Sequence, residues 1–142
     1  MGRYVHCLIV EQTERLRLFL RDHVAGYEEL QALLFVARAA GQDWTDSEVA
    51  LSLNVPVEPI SSALESLVST GMVEVVRRGN LTAYRYAPTT DVLREAVVEL
   101  QRAYSEQPLT VIQMMSANAL ERVRTAALRR FADAFRLEGS KK

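Results

Sequence analysis

Two short clusters carry the side chains of this chain best suited to holding a charged ligand. One is Glu58, Ser61, Ser62, Glu65 and Ser66, and the other is Arg77, Arg78, Asn80 and Arg85. The first set recurs at helical spacing, so its members share the outer face of one short helix. Hydroxyls and free backbone N–H groups in a first helical turn hydrogen-bond phosphate oxygens or base edges, and the helix dipole favours an anion there. The second set surrounds Gly79-Asn80, a two-residue turn signal after a β-branched run, which places Arg77 and Arg78 at a hairpin tip and Arg85 on its return strand. Arginines at such a tip reach a narrow groove or a phosphate backbone.

One absence qualifies this reading. No Lys or Arg occurs between Arg38 and Arg77, although bidentate contacts from these residues are the commonest base readout. The serines and the hairpin arginines must then carry any nucleic-acid contact. The plainer alternative is that the serines are solvated helix surface and the arginines a solubilising tip.

The elements that position these clusters follow from local signals. Thr45 with Glu48 three residues on is a capping box that starts a helix, and that helix stops at Asn54 ahead of Pro56. A second helix starts near Glu58 or Pro59, carries Ile60, Ala63, Leu64 and Leu67 inward, and ends at Gly71. Met72 to Val76 then reads as a strand, and Leu81 to Tyr86 as its return. Upstream, Leu8, Ile9, Leu16, Phe19, Leu20 and Val24 form one amphipathic helix, and Tyr27, Leu30, Leu33, Leu34, Val36 and Ala37 a second between Gly26 and Gly41. Downstream, Thr90 or Asp91 caps a helix bearing Leu93, Val97, Leu100 and Tyr104. After Pro108, LTVIQMM reads as an apolar turn or two, and Asn118 with Glu121 as a capping box for a last helix to about Leu137.

Bulk properties narrow the class. A chain of 142 residues, 49% of them hydrophobic, holds one core plus extensions. The divisions expected are 1–41 for N-terminal helices, 42–88 for the central module, 89–138 for C-terminal helices and 139–142 for a disordered tail. A formal net charge of -1 excludes binding of polyanions by bulk charge, so any such contact is local. The single cysteine, Cys7, excludes an intramolecular disulfide. With no apolar leader and no apolar run near the ~20 residues that span a bilayer, the expectation is a cytoplasmic protein without membrane contact.

Other chemistry is poorly supported. There is no Gly-rich phosphate loop, no nucleophile elbow and no Ser/His/Asp set, so no enzyme activity and no cofactor is expected. His6, Cys7 and His23 lack the spacing of a tetrahedral metal site. Cys7 admits a redox-sensor reading through a sulfenic acid, and the ordinary reading of a buried small hydrophobe. Met114, Met115, Trp44, Tyr104, Phe131 and Phe135 read as a pocket for an apolar effector or, more ordinarily, as core.

The stretch from Thr45 to Pro88, with DSEVALSLNVPVEPISSALESLVSTGMVEVVRRGN followed by AYRYAP, resembles the winged helix-turn-helix of bacterial regulators of the MarR and related families. The resemblance covers about a third of the chain closely, and the flanking helical segments agree loosely. It implies a mainly α fold with a small β-hairpin, carrying additional N- and C-terminal dimerisation helices. It further implies a transcriptional regulator whose second helix enters the major groove of double-stranded DNA, with Arg77, Arg78, Asn80 and Arg85 as the wing. The amphipathic terminal helices need burial, so Leu16, Phe19, Leu20, Leu120, Val123, Phe131 and Phe135 are expected at a homodimer interface. The alternative from a different class is an interaction module that binds another protein through the serine-rich acidic face. The sequence names no effector.

Overall fold

The computed structural model describes the backbone of residues 2–140 and the side chains of residues 13–136. Cys7 and its redox reading, with His6, lie outside the described side chains. The elements in chain order are α1 (Gly2–His23), α2 (Tyr27–Arg38), β1 (Asp43–Trp44), α3 (Asp46–Leu53), α4 (Val57–Ser69), β2 (Val73–Arg78), β3 (Leu81–Tyr86), α5 (Asp91–Glu106) and α6 (Pro108–Ser140).

Local chemistry explains most boundaries. The expected capping box forms: the Thr45 hydroxyl accepts from the Glu48 N–H at 3.2 Å, and Glu48 Oε1 accepts from the Thr45 N–H at 3.4 Å. Asn54 ends α3 in the left-handed conformation at φ 58°, which Asn tolerates better than most residues. Gly71 follows α4 at φ +81°, and a Cβ there would lie 2.8 Å from Thr89 Oγ1. Only glycine fits that geometry without strain.

The core joins these elements into one body. Leu30, Leu33 and Val36 of α2 and Ile60, Leu64 and Leu67 of α4 are at most 1% exposed. Each such side chain contributes about 1.5–3 kcal/mol through removal from water. Val73, Val97, Leu100 and Val111 extend the same cluster to β2, α5 and α6.

The sheet has three strands in the order β1-β3-β2, all antiparallel. Strand β1 is an addition to the expected hairpin, and pairs Asp43 with Arg85 and Trp44 with Tyr84. Two residues are too few for a period-two pattern to show in sequence.

Two expectations for the terminal helices are corrected. Asn118 does not start a helix, because α6 runs unbroken from Pro108 to Ser140. The Asn118 side chain is spent on a tertiary contact instead: Nδ2 donates to the Arg17 carbonyl at 3.1 Å, and Oδ1 accepts from Arg17 Nη1 at 3.4 Å. The helix also passes through Gly139 and Ser140 of the expected tail, while 141 and 142 lie outside the described residues.

The second correction concerns dimerisation. Leu16 and Phe19 are each 8% exposed and Leu20 is fully buried, so one chain already covers them and they belong to its own core. By contrast Leu120, Val123, Phe131 and Phe135 are 61–67% exposed on α6. They remain available to a second copy.

Candidate nucleic-acid interface

Helix α4 is held from behind. Ile60, Ala63, Leu64 and Leu67 bury one stripe, and the opposite face is left bare. On it Glu58, Ser62 and Glu65 are exposed, and Ser61 and Ser66 are half-buried. Among the described residues, the hydroxyls of Ser61, Ser62 and Ser66 bond no other group of the protein. Pro56 precedes α4 without a side-chain cap, so the first backbone N–H groups of the helix also lack a side-chain partner. Donors are therefore present where the first cluster was expected to supply them.

The acids give this face its sign. Tyr84, buried on β3, has its phenol pushed up by burial and then by the nearby charges of Glu65 and Asp46. A phenol beside carboxylates resists ionisation because a second anion is repelled. Helices α3 and α4 carry Asp46, Glu48, Glu58 and Glu65 and no Lys or Arg.

The wing brings the arginines back toward that surface. Gly79 turns β2 into β3 at φ +65°, and the register pairs Arg78 with Leu81 and Arg77 with Thr82. Arg78 then reaches the α3 helix, where its Nη1 donates to Glu48 Oε1. Arg85 donates through Nε to Asp43 Oδ1 at 2.6 Å, and its Nη1 lies 3.8 Å from Glu74. Of the three, only Arg77 has no ion pair among the described residues. Asn80 stands exposed at the tip beside it.

These pairings revise the expected division of labour. Arg78 and Arg85 tie the wing to α3 and β1, so any phosphate must compete with the protein's own carboxylates for them. Glu48 is drawn into both tasks. Burial raises its pKa, but hydrogen bonds from the Thr45 N–H and hydroxyl and from Arg78 outweigh this and hold it below the usual carboxylate range. Sequence reading found Glu48 as a capping residue and missed its second role, as it missed Asp43 and Glu74. The signal was the register of β2 against β3, which brings residue 78 alongside a helix thirty residues earlier.

Helix, tight turn, helix and three-stranded sheet, with long helices before and after, make this a winged helix-turn-helix fold. Among solved structures the fold matches a mutant of MepR from S. aureus bound to an oligodeoxyribonucleotide, with a TM-score of 0.51, 13% identity, and coverage of 94% of this chain and 98% of that one. A mutant of MarR from E. coli matches with a TM-score of 0.48, 21% identity, and coverage of 93% and 95%. The homodimeric winged helix-turn-helix domain of Mb0332 from Mycobacterium bovis matches with a TM-score of 0.48, 26% identity, and coverage of 71% and 85%. No protein-family model and no curated protein matches the chain.

Proposed function

We propose that this chain binds double-stranded DNA as a two-fold dimer and regulates transcription in the cytoplasm. The observation that carries the reading is the bare outer face of α4 beside a wing tip whose Arg77 and Asn80 are uncommitted. Ser61, Ser62 and the first N–H groups of α4 would meet the major groove and its phosphates, while Arg77 would hold the flanking backbone. The MepR structure, which holds an oligodeoxyribonucleotide on the same fold, supports this assignment. Leu120, Val123, Phe131 and Phe135 would pair with the same residues of a second copy across a two-fold axis. The reading involves no catalytic step and no cofactor, and it leaves the effector open. None of the described helices is long and apolar enough to cross a membrane.

A second reading is favoured by a different observation. Helices α3 and α4 carry Asp46, Glu58 and Glu65 with no Lys or Arg, and Leu51 of α3 stands 83% exposed, a combination suited to a basic protein partner. Selection of genomic DNA fragments by the purified protein, run beside affinity capture from lysate, separates the two. Recovery of one DNA motif supports the regulator. Recovery of one protein without DNA establishes the interaction module instead.

A further inference from the structure

The second half of α6 has two opposed faces. Leu120, Val123, Ala127, Phe131 and Ala134 share one apolar stripe. Asn118, Arg122, Thr125 and Arg129 follow one another at steps of four, three and four, and so share the opposite face. This second face starts against α1 at Asn118, which is 1% exposed and holds Arg17 through the two hydrogen bonds described above. Beyond that anchor, Arg21, Glu121, Arg122, Thr125 and Arg129 line a cavity of about 290 Å³. At ~30 Å³ for each water in the liquid, that is room for a small molecule of a few functional groups.

The charges around the cavity do not balance within the protein. Glu121 is answered by Arg17 at 3.6 Å, and Arg21 is held by Asp22 at 3.0 Å. Arg122 donates only to backbone carbonyls, from Nε to Asn118 and from Nη2 to Ala25, each at 3.4 Å. Those two bonds leave it without a carboxylate partner among the described residues. Arg129 has no partner among the described residues. Arg122 and Arg129, about two helical turns apart, therefore line one recess, and Thr125 lies between them along the helix.

We propose that this cavity binds a small dianion, a phosphate ester or a dicarboxylate, through Arg122 and Arg129 with Thr125 as a further donor. The planar guanidinium matches phosphate and carboxylate oxygens in paired hydrogen bonds, which an ammonium group does not. Because the site lies on the face opposite the apolar stripe, occupancy and pairing of α6 with a second copy are compatible. The assignment stands apart from the DNA-binding reading, since none of its residues belongs to α4 or the wing.

Calorimetric titration of the full chain with inorganic phosphate, and separately with succinate, at ionic strength held constant by chloride, tests the proposal. Saturable binding of at least one probe is expected, weakened at least tenfold in Arg122→Gln/Arg129→Gln. Arg129→Gln alone guards against a folding artefact, because its side chain makes no bond that the fold needs, and it too must weaken binding. Arg124→Gln, which removes the same charge outside the cavity, is expected to leave the affinity within twofold. Absence of saturable binding, equal binding by the double variant, or equal weakening by Arg124→Gln would each overturn the site.

Discussion

The two ends of this molecule are charged against expectation. Between Arg38 and Arg77, the stretch that holds α3 and α4, there is no cation, while Asp46, Glu58 and Glu65 are acidic. Helix α6, remote from that surface in sequence, carries Arg122, Arg124, Arg129, Arg130 and Arg136. A net charge of -1 averages over this polarity and conceals it. The contrast separates scaffold from ligand chemistry: packing builds the winged module regardless of surface sign, while what each surface holds depends on which cations are left unpaired.

The largest effects should come from breaking the scaffold on one side of this contrast and sparing it on the other. Leu64→Ala, at a fully buried α4 position, should cost about 2–5 kcal/mol of folding stability in urea denaturation. Leu120→Ala, at a position 61% exposed, should change stability of the isolated chain by at most about 0.5 kcal/mol. It should instead raise the dimer dissociation constant measured by sedimentation. Gly71→Ala meets both the positive φ and the close Thr89 hydroxyl, and a loss on the order of 1–3 kcal/mol is expected by the same denaturation assay.

Smaller effects sharpen the electrostatic half of the comparison. Arg77→Ala should weaken DNA binding and reduce the slope of log affinity against log salt by about one, the yield of one lost phosphate contact. Arg78→Ala should change that slope less, because Glu48 already occupies its guanidinium. Fluorescence anisotropy across a salt series reads both.

A pH series probes the same tie from the other partner. The Glu48 carboxyl sits below its usual range, so its contribution is present above the unfolded value of about 4.3 and is lost as pH falls through the lower folded value. Amide exchange at Arg77 to Asn80 should therefore accelerate under acid before the α2–α4 core opens. Glu48→Gln keeps the cap acceptor and should abolish that acid dependence.

What could be read from the chain beforehand was what neighbouring residues decide. The capping box at Thr45 and Glu48, the stop at Asn54, the close at Gly71 and the turn at Gly79 each depend on a few adjacent residues, and each forms as expected. Asn118 shows where such reasoning ends, because a cap signal and a buried tertiary hydrogen-bonding residue look alike until Arg17 is placed beside it. Leu16, Phe19 and Leu20 show the same for apolar stripes, since helical spacing marks a face for burial without saying what covers it. Arg77 and Arg78 flank the turn and Arg85 lies on the return strand as expected, yet the pairing of Arg78 and Arg85 with Glu48, Asp43 and Glu74 depends on strand register and could not be read from spacing.

The central claim is that a cation-poor recognition helix still holds DNA, with Arg77 supplying the uncommitted wing charge. Its most direct test is the electrophoretic retardation of genomic DNA fragments at low salt by the wild-type chain and by Arg77→Ala side by side. Retardation of a subset of fragments by the wild type and clear weakening by the variant are expected. Failure of the wild type to retard any fragment would contradict it.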